Sequence, residues 1–313
     1  MPPKRQVRVG TQWMKARDAQ RALEEAIRVA ESEDREHEHH VPFIRKYVFS
    51  TDHKWIGIQY AITALTFLLI GFSMMLLMRY QLAWPGQPFP TLLAKIMGST
   101  NAPGGVMLPE FYNQLGAMHG TVMVFLAIVP LAVGAFGNYV VPLQIGAPDM
   151  AFPKLNMMSY WMYLPGGLLM LSSFALPGGA PNSGWTSYPP LSIIATQGQT
   201  MWIIGMIFLI TSSLLGSINF IVTIFQLRAK GLSFMRLPFF VWAQLITSFL
   251  LLLAFPPLEA AAVLQLMDRV AGTSFFMPSG LVVSGSPLAR AGGGNPLLWQ
   301  HLFWFLAHPR YTC

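Results

Sequence analysis

The fold is decided by residues 116–161, which read GAMHGTVMVFLAIVPLAVGAFGNYVVPLQIGAPDMAFPKLNMMSYW. An apolar helix in this stretch carries one histidine, His119, and a loop rich in Gly and Pro then holds a single acid, Asp149, before a second apolar helix begins. Polar groups are costly in hydrocarbon, so an imidazole well inside a membrane span indicates a functional site by default. We interpret the remaining chain as a frame around that histidine.

The composition is that of an integral membrane protein. The 313-residue chain is 53% hydrophobic and 11% charged, whereas soluble domains carry about 25% charged residues. Apolar runs of about 20 residues, the length that crosses about 30 Å of hydrocarbon, account for the difference. We predict an all-α transmembrane helix bundle of five complete spans and a partial sixth, over residues 55–78, 111–141, 155–176, 201–227, 237–266 and from 297 onward.

The net charge of +7 indicates membrane topology and not nucleic-acid binding, because the basic residues near the amino terminus are interleaved with acids. The basic residues of an amino-terminal arm (1–48), Lys154 and the loop 228–236 fall on one side of the predicted bundle, and the positive-inside rule places that side in the cytoplasm. Within the arm, residues 13–30 have helix-like periodicity. The segment HEHH at 37–40 is interpreted as solvated and not as a metal site.

Two histidines and one acid lie at different depths in the predicted bundle. At 1.5 Å per residue, His119 lies about 12 Å and His308 about 16 Å from the start of its span, while Asp149 lies in a loop at the cytoplasmic surface. Neutral imidazole binds heme iron and copper, and a carboxylate at the surface can collect protons. The alternative for each histidine is a core side chain that is hydrogen-bonded to a neighbouring helix.

A set of small polar residues lies above Asp149 and could hold a file of water molecules. We call this set the polar row, and it consists of Asn138, Asn156, Ser159, Ser212, Ser213 and Asn219. The alternative is that these residues make ordinary polar contacts between packed membrane helices.

Six motifs together resemble subunit I of the heme–copper cytochrome c oxidases. They are MHGTVMVF, GAFGNYVVPLQIGAPDMAFPKLNMMSYW, GWTSYPPL, SSLLGSINF, AGTSFF and LWQHLFWFLAHP, and their order and spacing agree with that family over residues 49–309. The resemblance implies the first half of a fold with about twelve spans. The acid in FGNYVVPLQIGAPDM favours the branch with a carboxylate-fed proton channel over the nitric oxide reductases.

The resemblance implies a role for each candidate residue. His119 would be one of two axial ligands of low-spin heme a, Arg79 would hydrogen-bond the formyl group of that heme, and Trp185 would lie near its propionates. Asp149 would be the entrance of a proton channel that continues through the polar row. His308 would be the first of three histidines on copper B.

The implied activity is that of a terminal respiratory oxidase, which reduces O2 to water between copper B and a high-spin heme, takes electrons from cytochrome c and pumps protons. The implied partners are oxidase subunits II and III, cytochrome c, O2 and the lipid bilayer, and the implied location is a bacterial cytoplasmic membrane. Two alternatives stay open. A heme-binding membrane module without oxygen chemistry needs a second axial ligand from His301 or His308, and a transporter or channel predicts inverted repeats, which we do not see.

The chain departs from the family pattern at its end. The second axial ligand of heme a, the other copper B histidines, the ligand of the high-spin heme and the lysine channel all belong to later spans, so we expect this chain to be inactive alone. Residues 310–313 read Arg-Tyr-Thr-Cys where the family has x-Val-Tyr after His-Pro. Deleting one base from codons for His-Pro-Ala-Val-Tyr-Met-Leu yields His-Pro-Arg-Tyr-Thr-Cys-stop. We therefore expect a truncated or frameshifted chain with an aberrant tail at 310–313.

Overall fold

The computed structural model describes residues 6–9, 12–15, 25, 42–288 and 292–312. The chain divides into two compact units, Met1–Ser50 and Thr51–Cys313.

In the first unit, strand β1 (Gln6–Val9) pairs antiparallel with β2 (Gln12–Lys15), and a π-helical turn covers Ile44–Val48. The helix predicted over 13–30 is therefore wrong at its start. The sequence QVRVGTQWMK alternates in the way that favours a hairpin, with a glycine between the two strands. The HEHH segment lies outside the described residues.

The second unit is built from helices. In chain order they are α1 (His53–Ala83), α2 (Thr91–Met97), α3 (Pro109–Ile145), α4 (Pro153–Ser172), α5 (Leu191–Ile194), α6 (Gln197–Gln226), α7 (Phe239–Val270) and α8 (Pro296–Thr312). The connections contain 3-10 turns at Pro103–Gly105, Ser173–Ala175 and Phe234–Arg236, and a small hairpin of β3 (Val282–Val283) and β4 (Ser286–Pro287).

Four of the described helices, α1, α3, α6 and α7, are long and apolar enough to cross a membrane. Helix α4 has 20 residues, but its first half carries Lys154, Asn156 and Ser159, and its mean hydropathy stays below that of the four. A helical membrane bundle is thus confirmed, and the count of five complete spans remains a prediction.

Local sequence explains where these helices begin and where they deviate. Helix α1 begins after Asp52, whose side chain accepts a hydrogen bond of 2.7 Å from the backbone N–H of Lys54. Helix α3 widens into π-helical segments at Val122–Ile128 and Pro130–Gly137. Such widenings occur often at functional sites, and here they separate His119 from Asn138.

The spans pack as a bundle in which α1 lies along α3, α4 along α6, α6 along α7 and α7 along α8. Helices α4 and α6 approach closely at two glycines: a Cβ on Gly205 would lie 2.8 Å from the carbonyl oxygen of Gly166, and a Cβ on Gly166 would lie 3.1 Å from that of Gly205. Small residues let membrane helices approach in this way. A second buried apolar cluster closes the end of the bundle that carries Asp149, which we call the Asp149 end; it includes Val141, Ile145, Met150, Phe220 and Leu245.

Candidate functional site

His119 is held in one orientation by a neighbouring helix. Its Nδ1 lies 2.8 Å from the carbonyl oxygen of Gly71 in α1. Because a carbonyl oxygen can only accept, Nδ1 carries the ring proton and Nε2 keeps its lone pair. Metal-binding histidines are commonly oriented by such a bond from the second ring nitrogen. The half-buried ring therefore fits one axial position on a heme iron.

Trp185 packs against the residue that follows His119. A Cβ on Gly120 would lie 2.9 Å from Cβ of Trp185, so only glycine leaves room for the indole there. The Trp185 ring centroid lies 5.6 Å from that of Phe303 in α8. The structure thus brings Trp185 to the helical turn that carries His119. Arg79 lies about two turns beyond Gly71 on α1, with an exposed side chain, and its contact with a heme formyl remains a prediction.

The loop that carries Trp185 is fixed by a buried polar network which the sequence analysis missed. Gln265 in α7 donates hydrogen bonds of 3.0 Å to the Ser187 carbonyl and 2.6 Å to the Ser192 hydroxyl. Gln199 in α6 donates a bond of 2.7 Å to the Ser187 hydroxyl. Arg269 donates to four carbonyl oxygens at the end of α5, those of Ser192, Ile193, Ala195 and Thr196. The sequence feature that could have indicated this network is the presence of polar residues near the start of α6 and near the end of α7.

His308 lies in α8 with an exposed side chain. Among the described residues, no three or more His, Cys, Asp or Glu side chains gather where they could hold a metal ion. This part of the chain does not by itself fit a three-histidine copper site, and the role of His308 as a copper ligand remains a prediction.

Asp149 lies in the loop between α3 and α4 and is half-buried. Burial raises the pKa of Asp149, while a hydrogen bond from the Met150 backbone N–H, 2.6 Å from Oδ1, and the charge of His53 lower that pKa by less. The net result is a carboxyl group that takes up a proton more readily than an exposed aspartate does.

His53 links Asp149 to the polar row, and the sequence analysis missed it. Its side chain is 2% exposed, and its Nδ1 lies 2.8 Å from the carbonyl oxygen of Asn138. The sequence feature that could have indicated His53 is its position directly after Asp52, the N-cap residue of the first span, at the same predicted membrane surface as Asp149.

Four members of the polar row, Asn138, Ser159, Ser212 and Ser213, line one cavity together with Tyr60. The Tyr60 hydroxyl donates to Ser159 Oγ at 3.1 Å and lies 3.3 Å from Ser212 Oγ. The cavity offers about 40 Å³ to the centres of water-sized molecules, which is room for about three waters.

Asparagines of the polar row present unsatisfied polar atoms. Asn156 is 1% exposed, and neither its Oδ1 nor its Nδ2 has a hydrogen-bond partner among the described residues. Asn138 Oδ1 is likewise buried without a partner there. Buried polar groups are satisfied in native proteins, by ordered water where no side chain serves. These atoms therefore favour internal water along the row.

Asn219 differs from the rest of the polar row because both ends of its amide bond backbone. Its Oδ1 accepts from the N–H of Phe152 at 2.9 Å, and its Nδ2 donates to the carbonyl of Phe152 at 3.3 Å. One turn further along α6, Thr223 accepts a bond of 2.9 Å from the N–H of Ala151. These contacts fix the loop that follows Asp149, and a role of Asn219 in proton transfer remains a prediction.

The Asp149→Asn substitution is expected to stabilise the folded chain at neutral pH and to have less effect at acid pH. Because burial raises the pKa of Asp149 in the folded state, the ionised carboxyl destabilises the folded chain. This destabilisation is absent below the unfolded-state pKa of about 3.8 and is complete above the folded-state pKa. The amide oxygen can still accept from Met150. The difference in thermal unfolding midpoint between variant and wild type in detergent should grow as pH rises from about 4 to about 8. A difference that shrinks over this range contradicts the assignment, and the exposed Glu110, changed to Gln, is the control.

Comparison with known proteins identifies the family. A family model described as "Cytochrome C and Quinol oxidase polypeptide I" matches residues 55–312. The chain is 45% identical over 264 residues to "Cytochrome c oxidase subunit 1" of Synechocystis sp. and 47% identical over 264 residues to the protein of the same name from Thermostichus vulcanus, covering 84% of this chain and 42% of each relative. It is 43% identical to "Cytochrome c oxidase subunit 1" of Bacillus sp. over 84% of this chain and 38% of that relative.

The chain spans about two fifths of the length of the curated relatives that it matches. The match covers the helices that carry His119, the polar row and the loop with Asp149. By the extent of this match, and in agreement with the motifs in its sequence, the chain belongs to the cytochrome c and quinol oxidase polypeptide I family, whose members are oxidoreductases of the membrane.

Proposed function

We propose that this chain is the amino-terminal membrane part of a terminal oxidase subunit, which reduces O2 to water with electrons from cytochrome c and pumps protons. The observation that carries the proposal is the bond between His119 Nδ1 and the Gly71 carbonyl, which leaves Nε2 free inside a membrane span. Membership of the family supports the same activity, because the relatives are named cytochrome c oxidase subunit 1.

His119 would hold one axial position of low-spin heme a, and the heme would supply one-electron transfer. The chain's own residues would orient that group. The Gly71 carbonyl orients the His119 imidazole. Trp185 would lie near the heme propionates, and Arg79 would hydrogen-bond the formyl group of the heme. His308 would contribute one of the three histidines of copper B.

Asp149 would collect protons, and the polar row would carry them into the bundle. Three features support this path. Burial favours protonation of the Asp149 carboxyl, the buried His53 lies between Asp149 and Asn138, and the cavity beside Tyr60 has room for water next to the two serines that bond this tyrosine. The hydroxyls of that cluster can pass a proton by rotating.

The proposed topology has five complete spans and a partial sixth, with α4 as the third span. Because the basic residues cluster at the Asp149 end, that end and the amino terminus would face the cytoplasm of a bacterium. Subunits II and III of the oxidase would be the partners in the membrane.

His119→Ala tests the proposal. In membranes from cells that produce this sequence as part of a complete subunit I, together with the other oxidase subunits, the reduced-minus-oxidised spectrum is expected to lose its low-spin heme a signal, because one axial ligand is gone. His301→Ala is the matched control, since His301 is exposed on α8, and should leave the signal intact. An unchanged spectrum in His119→Ala overturns the heme assignment. A normal heme signal in the unsubstituted chain without O2 consumption would instead support a heme-binding module.

A further inference from the structure

Ser187, two residues after Trp185, has a backbone conformation that L-amino acids rarely adopt. Its φ is +52°, in the left-handed region, where the side chain crowds the following carbonyl oxygen. Within the described part of the chain, Ser284 is the one other non-glycine residue in this region, with a φ of +51°. Ser284 and Gly285 form the exposed turn of the β3–β4 hairpin, and two-residue hairpin turns commonly require positive φ. Ser187 belongs to neither of the described hairpins, so other interactions must hold it.

Side chains from two spans hold Ser187. The serine is fully buried, as are Gln199 in α6 and Gln265 in α7. The Ser187 hydroxyl accepts a hydrogen bond of 2.7 Å from Gln199 Nε2 and donates one of 3.1 Å to Gln265 Oε1. The Ser187 carbonyl accepts a bond of 3.0 Å from Gln265 Nε2. A strained residue persists only where its surroundings over-determine it, and these three bonds to one residue meet that condition.

The directions of these bonds are fixed by the chemistry of the groups. A carbonyl can only accept, so Nε2 of Gln265 faces the Ser187 carbonyl and Oε1 of the same amide is left for the hydroxyl. The one proton of the Ser187 hydroxyl then goes to Gln265, and its lone pair receives Nε2 of Gln199. Gln199 Oε1 accepts in turn from the Ser183 hydroxyl at 2.5 Å. Neither amide can turn over without setting donor against donor.

Ser187 also closes the turn that carries Trp185. The Ser187 N–H donates a bond of 3.2 Å to the carbonyl of Gly184, so residues 184–187 form a β-turn with Trp185 at its second position. In the same turn, the Thr186 carbonyl accepts a bond of 2.9 Å from the indole N–H of Trp299 in α8. A change in φ at Ser187 reorients the peptide group that closes the turn, and Trp185 moves with it.

The indole of Trp185 has little freedom where it meets the His119 helix. Three of its atoms, Cβ, Cγ and Cδ1, lie 2.9–3.0 Å from the position that a Cβ on Gly120 would take. The indole therefore lies directly against the backbone of the residue that follows His119. A displaced turn would uncover this backbone and admit water beside the imidazole.

We infer that Gln199 and Gln265 are positioning residues for the His119 site. By holding Ser187 in its left-handed conformation, the two amides set where the Trp185 indole lies against Gly120. The consequence for a bound heme rests on the proposed function. Water stabilises the extra positive charge of an oxidised heme iron, so solvent admitted beside His119 would lower the reduction potential.

Ser187→Ala and Ser187→Gly separate the backbone strain from the hydrogen bonds. Both substitutions remove the hydroxyl, but glycine adopts a positive φ without steric cost. In the full chain labelled with fluorotryptophan, fluorine NMR in detergent resolves the tryptophans, and Trp185→Phe assigns the Trp185 resonance. Ser187→Ala is expected to shift that resonance, whereas Ser187→Gly should leave it in place. Ser284→Ala is the matched control, because Ser284 has the same φ at an exposed turn, and should also leave it in place.

Gln265→Met tests the amide itself, because methionine has a similar length and cannot replace the hydrogen bonds. The Trp185 resonance is expected to shift in Gln265→Met and to return when Ser187→Gly is added, since a turn without strain does not need the amide. A resonance that Ser187→Ala leaves unmoved, or that Ser187→Gly moves as far as Ser187→Ala does, overturns the inference.

The reduction potential gives the second measurement. In an oxidase with a complete subunit I that includes this sequence, the midpoint potential of the low-spin heme is expected to be lower in Ser187→Ala than in Ser187→Gly. Equal potentials in the two variants overturn the assignment of the amides to the His119 site. Absence of the low-spin heme from the unsubstituted oxidase contradicts the proposed function instead, and the fluorine resonances then decide whether the amides position Trp185.

Discussion

In an oxidase with a complete subunit I that includes this sequence, Asp149→Asn is expected to lower O2 consumption about 10²-fold, the lower end of the usual contribution of a positioned proton-transfer group. The amide cannot take up and release a proton as the carboxyl does. It can still accept the hydrogen bond from Met150, so the loop between α3 and α4 should keep its shape. The heme spectrum should therefore remain that of the wild type while turnover with reduced cytochrome c falls.

Asp52→Asn is the matched control for this experiment. Asp52 is exposed and caps α1 at the same end of the bundle, and its charge is one of those that raise the pKa of Asp149. The substitution therefore changes the local charge while it leaves every group of the proposed path in place. Asparagine is also a good N-cap residue. Equal losses of activity in the two variants would indicate a surface-charge effect and contradict a specific path through Asp149. Unchanged activity in Asp149→Asn would also contradict it.

Gly205→Val is expected to destabilise the bundle by about 3 kcal/mol, at the upper end of the cost of overpacking a core. A Cβ at this position would lie 2.6 Å from Met170 Cγ and 2.8 Å from the Gly166 carbonyl oxygen. The methionine can move, but the carbonyl belongs to the backbone of α4 and is fixed by its helix. Helices α4 and α6 would have to separate, and their separation would also open the cavity beside Ser159 and Ser212.

Gly216→Ala, on the same helix, is the control for Gly205→Val. A Cβ at Gly216 meets nothing within 4 Å, so alanine should stabilise α6 by about 0.5–1 kcal/mol through its better helix propensity. Unfolding in mixed micelles, followed by far-ultraviolet circular dichroism, measures both variants. Similar midpoints for Gly205→Val and Gly216→Ala would show that the close approach of the two glycines does not hold the helices together.

The membrane helices could be predicted from the sequence because hydropathy over about 20 residues is a local property. The first span, predicted over 55–78, is part of α1, and the fifth, predicted over 237–266, coincides with α7 to within a few residues. Both helices extend further than predicted into polar residues at their ends. The third predicted span, over 155–176, is not among the four helices that are apolar enough to cross a membrane, since Asn156 and Ser159 lower the hydropathy of α4.

The contacts that build the site could not be predicted from the sequence. His53 and Asn138 are 85 residues apart in the chain, and Tyr60 and Ser212 are 152 residues apart, so only the packing of the helices shows that they meet. The same holds for Ser187 and Gln265, which are 78 residues apart. His119 and Asp149 could be proposed from the sequence because each is the single residue of its kind in a long apolar stretch. The neighbours of His53 in the sequence carry no recognisable pattern, so this residue could not.

The buried carboxamide of Asn156 has a consequence for how the helices pack together in the membrane. Helix α4 packs against α6, and the carboxamide of Asn156 in α4 is buried with both polar atoms unpaired within the described residues. Dry surroundings would leave that amide unsatisfied in an apolar medium. Water that satisfies it would therefore be enclosed when α4 packs into the bundle. A translocon that releases α4 into lipid would then deliver a helix whose docking is complete only when water has been trapped beside it.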